Sequence, residues 1–455
     1  MRKLLLGVLA VGALLGLGGC TGGGSSSPVS ETKELTWNYQ MLTRVWLYAD
    51  SPGLGSMSLY QGAGKDSGEY PDVQNLYVTA EVKDRFTRYF TPSEANYVLS
   101  EYMGSDQVAI IGILYGYTNT DTTAALDTML ITRVVPGSPA DSAGLRKGDR
   151  IVRINGNDVT DKNRSKYSSL TAGSAGTSYR ITVQDTSGDT LSAVVTKKSL
   201  VVPTVWTDTV QNIPVLQVDM FASADPGGLG GTDLEFRNAL TSLGNFTTAI
   251  IDLRGNGGGS VDQCLAMTDD LIASGINLHE LAHYWDSTGH VARVDTTTDS
   301  LYAGCPNQPN CTFENHKYVF LQDSGSASCS EIMLTGIKNN SNFPLVGTYS
   351  YGKGIAQNLW ETPAKGLAVV TTTEFRDKNW KSYHHIGIEP TYFVADPDSQ
   401  LALAVRLASG DTTALARRSV SSLPDAAIAR LNWNLGKRQL KILPGAWRLQ
   451  RGEMR

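Results

Sequence analysis

The run Ser326-Ala327-Ser328-Cys329-Ser330-Glu331 sets Ser328 among small residues, and Gly352-Lys353-Gly354 sets a lysine between glycines with Gln357 four residues on. A serine and a lysine can perform acyl transfer without a histidine if the lysine is neutral enough to take the hydroxyl proton. At an unperturbed pKa of about 10.4, only roughly one lysine in a few thousand is neutral at pH 7. Burial lowers that value because the ammonium loses its water. Gly352 and Gly354 leave room to place the amine against the serine. The Gln357 carbonyl can orient it without adding charge. Each residue also has a plainer reading. Ser328-x-x-Glu331 fits a capping box at a helix start, and GKG fits a surface turn.

These side chains need elements to carry them. Tyr318–Leu321 is apolar and reads as a buried strand, Glu331 to Lys338 is helix-competent, and Pro344 to Gly347 reads as a second short strand. A serine at the strand-to-helix turn and a lysine after the next strand can then meet. A third segment, TAIIDLRGNGGGS at Thr248–Ser260, reads as a strand over Ala249–Leu253, a glycine turn over Gly255–Gly259 and a helix from Val261 to Ala273. Glycines allow backbone conformations that aim N–H donors at a developing oxyanion. A phosphate-cradling loop is the rival, but this turn contains neither GxGxxG nor a P-loop GK[ST]. Further core strands are expected at Ile213–Met220 and Leu367–Thr373.

In combination, SASCSE and GKGIAQ resemble the C-terminal processing peptidases, or tail-specific proteases. The resemblance runs over roughly residues 36 to 405 and carries several motifs in one order. It implies Ser328 as nucleophile, Lys353 as base and Gln357 as its partner. DLRGNGGG resembles the family's DLRNNPGG, which implies an oxyanion donor at Gly258, or at Gly257 or Gly259 by a small slip. The second donor would be the backbone N–H of Cys329. HIGIEP at His385–Pro390 resembles the family's GIEP, and VKDRFTRYFTPSE at Val82–Glu94 resembles the segment that precedes the family's PDZ domain. The chain departs in having cysteine after the nucleophile, glycine for proline at Gly257, and a longer connection from the glycine turn to Ser328. Ile131–Val159 resembles a PDZ core, a fold that takes extended C-termini by strand addition. Its candidate carboxylate loop is Ile111, Gly112, Ile113 and Leu114; a buried strand with an incidental glycine is the alternative.

His279-Glu280-Leu281-Ala282-His283 matches the HExxH zinc-peptidase pattern, which requires a helix. Gly275 just before it and the strand-compatible run Ile276–Tyr284 favour a strand, so no metal or other cofactor is expected. Arg2 and Lys3 precede the apolar run Leu4–Leu17, too short to span a membrane as a mature helix. Leu17-Gly18-Gly19-Cys20 resembles a bacterial lipobox, which implies lipidation at Cys20 and location at the bacterial cell envelope. The anchor would face periplasm or cell surface, with Gly22–Ser27 as part of a flexible tether. Cys305 and Cys311 flank a short polar loop, which suits a local disulfide in an exported protein. Cys264 and Cys329 read as free and buried. A bond between them stays open, since both would start helices near the site.

The chain has 455 residues, 41% hydrophobic content and a formal charge of −5, which is ample for cores and speaks against nucleic acid as partner. The expected fold is α/β and multidomain. A signal peptide (1–19) and tether (20–33) precede a small N-terminal helical segment (34–102) and a PDZ-like β-rich domain (103–198). An α/β (ClpP/crotonase-like) catalytic core (199–400) follows, then a basic tail (401–455) that could touch anionic lipid or stand as a solvated helical appendage, the second being the favoured reading. The expected function is endopeptidase cleavage of exported proteins through a Ser/Lys pair, with substrates bearing free apolar C-termini. Its rivals are an inactive PDZ peptide-binding lipoprotein and, as third choice, a zinc metallopeptidase built on the HExxH run His279–His283.

Overall fold

In the computed structural model, the described residues are 29–49, 54–64, 68–95, 98, 108–117, 129–159, 174–223, 230–302, 313–411 and 447–450. Cys20, Cys305 and Cys311 lie outside them. The short apolar runs Thr248–Asp252 and Lys317–Gln322 pair in parallel at the centre of a six-stranded sheet. Its order is Val205–Val210, Ile213–Val218, Thr248–Asp252, Lys317–Gln322, Leu345–Gly347 and Tyr392–Phe393; the first pair is antiparallel and the rest parallel. Central parallel strands are near-continuously apolar because both faces are covered. Ala249, Ile251 and Phe320 pack with Met267, Ile332 and Met333 of the helices Val261–Leu271 and Cys329–Asn340. Ile250, Val319 and Leu321 pack with Ala404 and Val405 of the helix Pro397–Ala408. Each helix thus starts where the sheet's carboxyl edge delivers a loop. In open α/β sheets that edge is where ligands bind.

A second sheet runs Val291–Leu301, Gly275–Trp285, Leu367–Arg376, Ile355–Glu361 and Trp447–Gln450, with Arg88–Phe90 added to Leu367–Arg376. The tail is therefore not only helical: Trp447–Gln450 pairs in parallel with the strand that contains Gln357. That edge offers unpaired backbone groups, which a strand satisfies and a helix does not. The N-terminal helices Glu31–Val45 and Pro71–Glu81 share a core with Ala368 and Val370 of the same sheet. The described residues before 105 and after 203 accordingly form one compact unit.

The other unit, Ser105–Pro203, has its own core of Ile111, Ile113, Ile131, Leu145, Ile151, Ile181 and Val183. Its main sheet runs Ile113–Tyr117, Met129–Val134, Arg150–Ile154, Ser178–Gln184 and Thr190–Thr196. Ser138 caps the short helix Pro139–Ser142, its hydroxyl accepting the Asp141 N–H at 3.1 Å. Among the described residues no helix is long and apolar enough to cross a membrane.

Candidate active site

Ser328 is the last residue before the helix Cys329–Asn340, fully buried, with φ 61° and ψ −111°. A positive φ costs a non-glycine residue free energy and persists only where neighbours impose it. Glu331 is one such neighbour. One of its oxygens, Oε2, accepts the N–H of Ser328 at 2.8 Å and that of Lys353 at 2.7 Å. The other, Oε1, accepts the N–H of Gly352 and the hydroxyl of Ser350, both at 2.6 Å. The capping-box glutamate therefore does more than cap: it binds the serine turn to the lysine turn through one carboxylate. Burial pushes its pKa up, and the four donors oppose that shift. Sequence reasoning saw the cap but not the second turn, because nothing in SASCSE indicates what lies across from it.

Lys353 is 3% exposed, and its Nζ donates to Gln357 Oε1 at 2.7 Å. Gln357 in turn donates through Nε2 to Thr371 Oγ1 at 2.8 Å, which fixes its carbonyl toward the amine. Burial lowers the Lys353 pKa to about 7; nearby Asp84 and Glu331 favour the ammonium and Arg85 disfavours it. The amine is thus poised at neutral pH, as a general base must be. His384 lies beside it, with Nδ1 3.2 Å from the Gly352 carbonyl and Nε2 3.3 Å from the Tyr48 hydroxyl. Burial and the neighbouring His385 take the His384 pKa down to about 3, so this ring is neutral.

The glycine turn meets the serine turn. A Cβ on Gly258, whose φ is +112°, would lie 2.8 Å from Ser328 Cβ and 3.1 Å from Cys329 N. No side chain fits there. Asn256, which the sequence reading passed over, clamps the two loops. Its backbone carbonyl accepts Ala327 N–H and Ser330 Oγ, both at 2.9 Å, and its Nδ2 donates to Val218 O at 2.9 Å. Asn256 Oδ1 accepts the Gly258 N–H at 2.9 Å, so that N–H is engaged within the loop. Cys329 opens its helix, and its N–H is one of those left without an intrahelical partner. The question left open for Cys264 and Cys329 is answered by a disulfide, Cα atoms 5.7 Å apart. Two helix starts brought together by the glycine turn put the sulfurs in reach.

HELAH lies in the strand Gly275–Trp285. Residues four apart on a strand are about 13 Å apart, too far to share a metal whose ligands sit about 2 Å away. His279 instead stacks on Trp380 at 3.9 Å and bonds through Nδ1 to Thr298 Oγ1 at 2.9 Å. Among the described residues no group of three or more His, Cys, Asp or Glu could hold a metal.

In the other unit, Ile111 and Gly112 form the bend before the strand Ile113–Tyr117, which carries Ile113 and Leu114. Gly112 has φ +93°, and a Cβ there would strike Ser138, so only glycine fits this bend. Among the described residues, Ile113–Tyr117 is an edge of its sheet, the position at which a peptide strand can be added.

Comparison with known proteins agrees with this architecture. Residues 212–394 match the model of peptidase family S41, and residues 130–185 match a PDZ domain model. The carboxy-terminal processing protease CtpA of Bacillus subtilis is 26% identical over 273 residues, 59% of this chain and 54% of that protein. A Staphylococcus haemolyticus protein named as a CtpA-like serine protease is 22% identical over 87% of this chain and 73% of its own length. The chain thus spans only about half of the first of these relatives. Among solved structures, a Bacteroides fragilis protein assigned to the S41 proteases superposes with a TM-score of 0.56 at 19% identity, covering 83% of this chain and 97% of that one. That likeness speaks for the fold. On these matches, residues 212–394 of the chain are similar to peptidase family S41 and residues 130–185 to PDZ domains.

Proposed function

We propose that this protein is a serine endopeptidase in which Ser328 is the nucleophile and Lys353 the general base. One observation carries the reading: a single oxygen of Glu331 holds the backbone N–H groups of both residues, while the lysine amine is buried and poised near neutrality. Neutral Lys353 takes the Ser328 hydroxyl proton as Oγ bonds to the scissile carbonyl carbon, leaving a tetrahedral oxyanion. The N–H of Cys329 faces that charge, joined by a donor from the glycine turn. Because the Gly258 N–H is bonded to Asn256, its donation requires that bond to be shared or released. Collapse expels the amine, which takes the proton from Lys353. Water, deprotonated by the same lysine, then hydrolyses the acyl-enzyme.

In this reading substrates are proteins or peptides with free, apolar C-termini, taken by strand addition along Ile113–Tyr117. The protein itself is an envelope lipoprotein anchored through Cys20. No metal or cofactor takes part in the proposed steps. A fluorophosphonate probe tests the chemistry: it should label the wild type and not Ser328→Ala, and peptide cleavage should vanish on the order of 10⁴-fold in that variant. The cap contributes only about 1 kcal/mol, so the variant should remain folded. Normal turnover by folded Ser328→Ala would sink the assignment.

A further inference from the structure

The turn Asp84–Thr87 reaches the proposed base from outside the motifs that carry the serine and the lysine. The Phe86 ring centroid is 4.3 Å from Lys353 Nζ. The ring is half-buried while the amine is almost fully buried, so the ring forms part of the wall between amine and solvent. Asp84 fixes the turn. Its carboxylate accepts the Phe86 N–H at 3.0 Å, the Thr87 hydroxyl at 2.6 Å and the Trp46 indole N–H at 3.1 Å. Thr87 Oγ1 accepts the Thr371 N–H at 3.0 Å, and Thr371 Oγ1 accepts from Gln357. The contacts close on Lys353 from two directions, through Gln357 and through Phe86.

We propose that Phe86 is a positioning residue that keeps water from the Lys353 amine and thereby holds it in its neutral, proton-accepting form. The proposal rests on the Ser/Lys reading above. Lys353 is faced by Asp84 and Arg85 from this turn, by Glu331 from the nucleophile helix, and by the neutral His384. Asp84 and Glu331 favour the ammonium, and so does a phenyl face, which attracts cations. Arg85, 4.9 Å from the Phe86 ring, disfavours it. Burial is the largest influence and wins over the groups that favour the charge. Losing the ring's cover therefore matters more than losing its π-face.

The test is the pH dependence of kcat/KM on a peptide substrate for wild type, Phe86→Ala and Phe86→Leu, with melting temperatures alongside. Phe86→Ala admits water, and the acid limb should move up by about one pH unit. Activity at pH 6 should then fall about tenfold and recover fully at alkaline pH. Phe86→Leu keeps the cover, and its limb should not move up. A loss in Phe86→Ala that is equal at every pH overturns the proposal, and so does a Phe86→Leu limb raised as far as that of Phe86→Ala. If Phe86→Ala does not fold, Phe86→Gln takes its place: a raised limb supports the proposal and an unmoved one overturns it. A Lys353→Ala variant that cleaves normally would instead overturn the Ser/Lys reading, so the two failures are distinguishable.

Discussion

Lys353 and Gln357 stand four residues apart, and so do His279 and His283. The first pair is hydrogen-bonded at 2.7 Å. The second lies along an uninterrupted ladder in which His279 faces Thr298 and His283 faces Val294. The backbone makes the difference. Lys353 precedes its strand, between Gly352 at φ 90° and Gly354, whose missing side chain lets it approach within contact of His384. Gln357 follows a register shift between Ala356 and Gln357. A bend and a bulge re-aim side chains that a regular strand would hold apart. Spacing in a sequence acquires chemical meaning only through the path the backbone takes between the residues.

The hardest way to break the comparison is Lys353→Met. It keeps most of the volume and removes the base, so cleavage should fall on the order of 10⁴-fold. Stability should move the other way. Lys353 has a folded pKa of about 7, below its ordinary value, so between those values the unfolded chain binds more protons than the native one. The burial penalty is full below pH 7 and fades as pH rises toward the unfolded pKa. The methionine variant should therefore melt higher than wild type at pH 6 and lose that advantage at alkaline pH. A variant that melts lower at pH 6 would mean the ammonium is compensated rather than penalised. In wild type the same sign makes activity rise with pH through about 7.

Glu331→Gln is the next largest. The amide keeps one acceptor oxygen and turns the other position into a donor, facing N–H groups or the Ser350 hydroxyl. A lost pairing of this buried kind costs about 1–3 kcal/mol, which as misplacement reads as roughly 10–100-fold in kcat. Wild-type kcat in a folded Glu331→Gln variant would show that the carboxylate does not align the two turns.

Much of this site was legible in the sequence for a definite reason. Strands buried on both faces are plain apolar runs, and Thr248–Asp252, Lys317–Gln322 and Leu345–Gly347 fall within a residue or two of their expected bounds. Glycines at Gly258 and Gly352 are demanded by close approach and positive φ, and so stand out. What stayed hidden depends on partners far along the chain. Glu331 meets Lys353 across two turns, and Phe86 meets it from more than two hundred residues away. Asn256 looked like one more turn residue. The Trp447–Gln450 strand follows a basic stretch with no periodic signal of its own.

A smaller effect belongs to the Ser105–Pro203 unit. Amidating a substrate's C-terminus removes the charge that the Ile111–Leu114 bend is proposed to hold and should cost about 1–3 kcal/mol of binding. It should appear in KM rather than kcat, because the interaction is the same in ground and transition states. Equal rates for the free and amidated peptides at sub-saturating concentration would leave this unit without a role in selecting tails.

The smallest effect is expected from the second pair of the comparison. His279→Ala removes a stack on Trp380 and a bond to Thr298, a structural loss of about 1–2 kcal/mol that a lower melting temperature should register. His283→Ala removes an edge-on contact with Trp285 and should cost less. Neither should change kcat, because a strand holds the two rings too far apart to share an ion. The measurement is kcat together with zinc per chain for wild type and both variants. One zinc per wild-type chain, lost together with activity in either variant, would put catalysis on the histidines and reverse the comparison. Intact kcat beside a lowered melting temperature in His279→Ala would confirm that four-residue spacing on a regular strand serves packing alone.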